Sequence, residues 1–449
     1  MTARLLRLMS LLGLLAVLAS CGGSGGSDGG GASKEGDDGS PSASADPLGG
    51  FDAADVVEVA DAAVSNVSID ASSDGRTVAV GWYVLDDASG EEQAKVAVSS
   101  DGGETFGEPV VVAEPAVEYP QVAVLDDGDI LVGAITYDLE SLVVPDDPKS
   151  WASWPVIYRS GDGGRSFDLD VDLRDQVGPR VLTGTMPTSL GASPDGRTLV
   201  FSFQDNTPEE AVDAGAPSRV DGTSAIPTWA MVSTDGGASF GAPQVVADST
   251  CSCCRSSAFV AEGRAGVAMR LLEPVDASSD ERNPAMTLAD ASGRVGEPTP
   301  IHDDDYVLEL AGCPASGPGV AGSPGLLHAA WWTEAEGREG WWYSEGPTPE
   351  QMGEPVRLPA PQSITYAVDL AADQQGRSWV VGMHWPDSKD TRYHLLLWFV
   401  DAEEQPTDLG LTPTVDAAAQ GYDVTDLPDA GLVAWIDDGV VRVGHLQVP

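Results

Sequence analysis

The sequence predicts an all-β domain folded as a seven-bladed β-propeller, and three observations predict it. A short strand–turn–strand pattern recurs seven times along the chain. Three copies carry a second signature, Ser-x-Asp-x-Gly-x-x-Phe, after the third strand. The last copy is one strand short, and a lone strand-like segment precedes the first. A unit this small cannot bury an apolar face alone, so the copies must pack side by side about a common axis.

The pattern is clearest at its first turn. The turn glycines are Gly75, Gly128, Gly196, Gly263, Gly325, Gly376 and Gly431, spaced 53, 68, 67, 62, 51 and 55 residues apart. Each stands where a hairpin favours positive φ, and apolar β-formers follow it. Around each turn we read four strands, A to D from the axis outward, with the turn joining A to B. The final copy has strands near 421–427, 431–436 and 440–447. Asp55-Val-Val-Glu-Val-Ala60 is predicted to supply its missing outer strand, closing the ring and removing a free sheet edge.

The second signature reads Ser99-Ser-Asp101-Gly-Gly103-Glu-Thr-Phe106, Ser160-Gly-Asp162-Gly-Gly164-Arg-Ser-Phe167 and Ser233-Thr-Asp235-Gly-Gly237-Ala-Ser-Phe240. It falls between strands C and D of blades 1 to 3. Its Ser and Asp can satisfy turn backbone, its Gly permits a left-handed bend, and its Phe packs beneath the blade. The spacing resembles the Asp-box, or BNR, repeat of sialidases and related propellers. That resemblance implies a structural fastener far from the catalytic face, and it brings in a six-bladed ring as the alternative.

Arg4 and Arg7 precede an apolar stretch, 8–19, too short to favour a permanent span, and Leu18-Ala19-Ser20-Cys21 matches a lipobox. The motif resembles that of bacterial lipoproteins, which implies cleavage before Cys21 and lipidation of its thiol. Residues 1–20 are read as a signal peptide, 21–50 as the lipidated cysteine with a flexible Gly/Ser/Asp tether, and 51–449 as the propeller. The expected location is extracytoplasmic and membrane-anchored, in a periplasm or at a cell surface. The formal net charge is −48, with four lysines. Phosphate binding needs clustered Lys and Arg, so the charge argues against nucleic acid as a partner and against lying flat on anionic lipid. The acidic surface is read first as solvated, and second as affinity for cations or basic ligands.

In a propeller the A–B and C–D turns share one rim, here the bottom, and the D–A and B–C connections share the top. Long acidic B–C connections are expected at 138–154, 204–227 and 273–283, all on top. Loops of this length usually carry function. The residues leading into strand A ring the channel mouth there: Asn66, Tyr119, Thr188, Arg255, Tyr366 and Tyr422. Arg255, Tyr119, Tyr366 and Tyr422 are the candidate ligand-binding residues. The tyrosines either stack on a sugar or cap the channel.

Cys251, Cys253 and Cys254 precede strand A of blade 4, and Cys313 precedes strand A of blade 5. Equivalent positions in adjacent blades make them neighbours near the channel mouth. Three readings compete. An even count in an exported domain favours two disulfides, with Cys313 bound to one of the three. Four sulfurs could instead hold zinc or copper, with Met383 and His384 as further candidates. A redox-active pair is the third reading. Cys-x-Cys-Cys-Arg with Gly-Cys-Pro resembles a group of exported bacterial Asp-box proteins labelled sialidase-like. A His commonly follows Cys-Pro in that group, and Ala315 takes its place here.

Sialidases use three arginines to hold a carboxylate, a Tyr activated by Glu, and an Asp acid/base. Their first arginine lies in a Phe/Tyr-Arg-Ile-Pro motif entering blade 1, where this chain has Asn66-Val-Ser-Ile69. Arg180 and Arg255 match no family motif, and Tyr366 and Tyr422 are catalytic candidates by position alone. His302, in Ile301-His-Asp-Asp-Asp-Tyr306, opens an acidic run that could take calcium but lacks a complete loop pattern. No phosphate loop, Gly-x-Ser-x-Gly nucleophile elbow or His-Glu-x-x-His is present. The reading is a propeller that binds a glycan or protein ligand on its top face, without catalysis. A glycoside hydrolase such as an exo-sialidase is the first alternative, and a thiolate metal or redox protein the second. No cofactor is expected beyond the zinc, copper or calcium options named above.

Overall fold

The computed structural model describes residues 56–61, 65–85, 92–113, 117–147, 150–182, 188–211, 225–252, 254–275, 279–302, 307–309, 317–360, 364–385, 393–411, 415 and 421–449. Seven four-stranded antiparallel sheets form the ring. Blade 1 comprises Ser65–Ala71, Val78–Leu85, Glu92–Ser99 and Val110–Ala113, hydrogen-bonded in that order. Blades 2 to 6 have inner strands Val117–Val124, Ser189–Ala192, Ser257–Ala261, Gly319–Ser323 and Ile364–Ala372. Blade 7 takes Tyr422–Leu427, Ala430–Asp437 and Val440–Gln447 from the end of the chain and Val56–Asp61 as its outer strand. Val56 pairs with Gly444 and Asp61 with Val440, so the ring closes as expected and has seven blades rather than six.

One apolar cluster fills each of the seven gaps between neighbouring blades. Trp379 and Met383 of blade 6 meet Tyr422 and Trp435 of blade 7, for example. Blade 5 sends Trp331 and Trp342 toward blade 4 and Trp332 and Trp341 toward blade 6, as strand alternation requires. Each blade is covered on both faces. Its second strand therefore reads as a continuous apolar run, and Leu199–Gln204 is buried at all six positions.

The bottom rim matches its sequence signature closely. The Gly102 amide donates to Arg76 O at 3.0 Å and the Gly236 amide to Arg197 O at 2.9 Å, seating C–D turns on A–B turns. Within each Asp-box the Ser hydroxyl donates to the Asp and accepts the second Gly amide: Ser99 from Gly103 at 2.9 Å, Ser160 from Gly164 at 2.8 Å, Ser233 from Gly237 at 2.9 Å. Phe106, Phe167 and Phe240 pack against the interblade clusters. Ser99 and Thr105 donate to the Asp101 carboxylate, and Ser166 and Ser160 to that of Asp162, holding both down to about 2. Asp235 is lowered in the same way, first by Ser239.

Three expectations need correction. Gly431 is not a turn residue: it pairs with Asp426 inside its hairpin, and Pro428 and Asp429 make the turn. A Cβ there would lie 2.7 Å from the Trp379 ring, so close packing between blades 6 and 7 is what requires glycine. The span 138–154 is mostly strand. Ile130–Leu142 and Trp151–Ser160 continue through it as a long hairpin in which Asp138 pairs with Ala152 and Tyr137 stacks on Trp151. In 273–283, Glu273–Pro274 and Ser279–Glu281 join Val307–Glu309 in a small three-stranded sheet of their own.

Candidate functional site at the head of the channel

The inner strands of all seven blades line a central cavity of about 780 Å³. Strands this close to the axis have no sheet partner on their inner edge, so their amides need other acceptors. Side chains of the preceding blade supply them. Ser68 accepts from the Val122 amide at 3.0 Å, Asp70 from Val124 at 2.7 Å, Ser189 from Ala258 at 2.9 Å, and Asp423 from Ile69 at 2.9 Å. The last of these spans the ring closure.

Asp423 also belongs to a charged cluster across the channel. Arg255, from the start of blade 4, reaches Asp369 of blade 6, with Nη1 2.8 Å from Oδ2. Burial opposes the Arg255 charge, but Asp369 and then Asp423 more than offset it, so the guanidinium stays protonated. Burial pushes the Asp423 carboxyl well up, and the neighbouring Asp369 carboxylate, hydrogen-bonded to it, pushes it further. The Asp423 carboxyl is thus pushed well above the ordinary range beside the Arg255–Asp369 ion pair. Tyr422 lies beside it at 2 % exposure, and burial raises its hydroxyl above the ordinary range. Lower in the channel, burial raises Asp70 to about 6, and burial together with the Asp70 charge raises Asp426 to about 7.

The strand ends at this rim are irregular. Inner strands of blades 1, 2 and 6 slip register between Ser65 and Val67, Glu118 and Gln121, and Thr365 and Val368. Asn66 and Tyr119 take left-handed φ values of 53° and 59° at the first two slips. Such bulges re-aim side chains and concentrate near binding sites.

The structure brings some of the sequence candidates together and separates others. Arg255 and Tyr422 share the cluster, but Tyr422 is a buried cap and Arg255 is already paired. Tyr119 is half-buried, Asn66 and Thr188 are buried, and Tyr366 lies in the strand Ile364–Ala372. Arg180 is elsewhere, paired with Asp205 at 2.7 Å and stacked over Trp229 in the gap between blades 2 and 3. The His328 ring is core, bridging Ser323 at 2.7 Å and Tyr343 at 2.6 Å, and His302 contacts Arg338 at 2.9 Å. Met383 and His384 are buried in strand Ser378–Trp385 of blade 6. Cys21, Cys253, Cys313 and Ala315 lie outside the described residues. Among the described residues no group of three or more His, Cys, Asp or Glu is arranged to hold a metal, and no helix is long and apolar enough to cross a membrane.

Cys251 and Cys254 are both buried, with Sγ atoms 2.6 Å apart. The rim above them is tightly packed: a Cβ on Gly317, leading into blade 5, would fall 1.8 Å from the Arg255 carbonyl oxygen. Sequence reasoning missed Asp369, Asp423, Asp70 and Asp426. Their signal is an aspartate at a channel-facing position of an otherwise apolar inner strand. It also missed Arg270 and Arg282, which are fully buried beside the cysteines.

No family model matches the sequence, and no curated protein matches it. Solved structures do resemble it. A Hadza microbial sialidase is similar at 12% identity, over 80% of this chain and 73% of that one, with a TM-score of 0.45. A PL25 polysaccharide lyase, an ulvan lyase, is similar at 12% identity over 87% and 97%, with a TM-score of 0.48. A Penicillium chrysogenum α-L-arabinanase is similar at 11% identity over 87% and 97%, with a TM-score of 0.44. None of these likenesses bears on what this chain binds.

Proposed function

We infer that the protein is a membrane-tethered, extracytoplasmic binding propeller that captures a neutral polar ligand, a glycan in the first instance, over the Arg255 cluster, without cleaving it. One observation carries the reading: Arg255 is already paired with Asp369 at 2.8 Å, with Asp423, its carboxyl pushed well up by burial, alongside. A guanidinium in that state has no free charge for a substrate carboxylate, so it does not act as a sialidase arginine. The two carboxyls are in hydrogen-bond contact, whereas glycosidase carboxyls flank the scissile bond about 5 Å or more apart. Tyr422 is pushed away from the phenolate that a nucleophile would need. A near-neutral, hydrogen-bonding floor beside the Tyr119 bulge suits hydroxyl-rich ligands.

Glycan-array and calorimetric titration of the purified full chain tests this. Binding to neutral oligosaccharides, weakened at least tenfold by Tyr119→Ala or Tyr366→Ala, is expected, with no release from a fluorogenic sialoside. Sialoside hydrolysis, or binding indifferent to both substitutions, overturns it. The tether is tested separately: Cys21→Ser should release the chain from membranes of the producing cell, and retention would refute lipidation.

A further inference from the structure

Cys251 ends the outer strand Gln244–Cys251 of blade 3, and Cys254 lies three residues on, where the chain turns toward blade 4. The two residues are 0 % and 1 % exposed. The Cys254 thiol donates to the Cys251 sulfur at 2.6 Å, and the Cys254 amide donates to the Cys251 carbonyl at 3.1 Å. Arg282 stands over the pair, with Nη1 3.5 Å from the Cys251 sulfur. Arg282 is itself 0 % exposed, and among the described residues its Nε and Nη2 have no hydrogen-bond partner. Among the described residues the carboxylate paired with it, Asp280, is 3.5 Å away, beyond a good charge-assisted bond. Arg270 packs in the same pocket, its guanidinium donating to the carbonyls of Arg282 and Trp332 at 2.7 Å each.

A buried guanidinium with unfilled donors calls for an anion beside it. A divalent cation would add positive charge next to it. A closed disulfide would leave it facing neutral sulfur, whereas a thiolate at Cys251 meets it directly. Burial, and next its bond to Cys251, keeps the Cys254 thiol protonated. The geometry thus distinguishes the two sulfurs: Cys251 faces the guanidinium and accepts, and Cys254 donates. Its burial excludes bulky oxidants and leaves small ones, of which a hydroperoxide is the simplest.

We propose that Cys251 and Cys254 form a hydroperoxide-reactive thiol pair, with Cys251 as the attacking thiolate, Cys254 as the resolving thiol and Arg282 as the group that stabilises the thiolate. The Cys251 sulfur attacks one peroxide oxygen. An S–O bond forms, the O–O bond breaks, and the departing hydroxide takes a solvent proton to become water. Sulfur gives up two electrons and the peroxide is reduced. Cys254 then attacks the Cys251 sulfenic acid, an S–S bond forms, and the hydroxyl leaves as water with the Cys254 proton. The balance is one thiolate, one thiol, one peroxide and one proton giving a disulfide and two waters.

The test uses the full chain, reduced and freed of reductant, titrated with hydrogen peroxide and mapped by peptide mass spectrometry after a denaturing quench. One peroxide should consume two thiols and link Cys251 to Cys254. The reaction should run at least tenfold faster in the folded chain than in urea, a comparison that needs no variant. Cys254→Ser should stop at a dimedone-trapped sulfenic acid on Cys251. Thiolate absorbance at 240 nm should persist below the ordinary cysteine range in the wild type and in Arg282→Lys, and should move up in pH in Arg282→Gln, with a peroxide rate at least tenfold lower. Cys313→Ser should change none of this. A linkage from Cys251 to Cys253 or Cys313, a folded rate no faster than the unfolded one, or an unmoved thiolate titration in Arg282→Gln would overturn the assignment.

Discussion

Asp101 and Asp162 sit in solvent-facing turns of the bottom rim and are held to about 2 by hydroxyl and amide donors. Asp70 and Asp426, on the inner strands of blades 1 and 7, are pushed to about 6 and about 7 by burial. The same side chain thus serves two opposite designs. In the turns, the carboxylate organises backbone that water also reaches. In the channel, the carboxyl supplies an acceptor to a neighbouring blade where no water-rich surface supports its charge. The difference shows that carboxylate count alone, in a chain this acidic, says little about where charge is held against its preference.

The sharpest way to break the contrast is to remove the cation at the head of the channel. Arg255→Met leaves Asp369 without its partner and is expected to cost about 3–5 kcal/mol in urea unfolding. A loss below about 1 kcal/mol would mean that the cluster is solvated. Next comes pH. Asp70 and Asp426 bind protons more tightly folded than unfolded, so their contribution is intact near pH 4 and is lost as pH rises through about 6 and about 7. The full shift at Asp70 corresponds to about 3 kcal/mol. Asp70→Asn with Asp426→Asn should flatten stability between pH 5 and 8, measured by urea unfolding at both ends. The turn carboxylates act with the opposite sign: their stabilisation is present above about pH 4 and fades only as pH falls toward about 2.

A smaller effect is expected at Ser99, which is buried under its turn and accepts the Asp101 and Gly103 amides. Ser99→Ala should cost about 1–2 kcal/mol, with amide exchange faster at Gly103 than in the intact turn of blade 2. Smallest of all is Arg76→Ala. That removes an exposed ion pair with Asp74 at 3.8 Å and should leave the unfolding midpoint unchanged.

The bottom rim and the ring were legible in the sequence because their physics is local and repeated. A turn glycine, an Asp-box and a strand period each recur within one blade, and Val56–Asp61 stood out as the strand without a partner. The Arg255 cluster was legible only by half. Register placed Arg255 and Tyr422 at one rim, but nothing in the repeat pattern marked Asp369 and Asp423. The channel edge that gives them their task exists only once seven inner strands face one another. Arg282 escaped for a similar reason: nothing near it in sequence announces the cysteine 31 residues away that it meets. Gly431 misled because its neighbours follow the turn pattern, while the constraint on it comes from Trp379 of another blade.

The seam between Val56–Asp61 and Val440–Gln447 has a mechanical meaning. Any tension applied at the amino end is borne first by the outermost hydrogen bonds of blade 7, whose innermost strand is pinned by Asp423 to blade 1. A tug from outside therefore arrives where the first and last parts of the chain are interlocked, and peeling that single ribbon would open the whole circle.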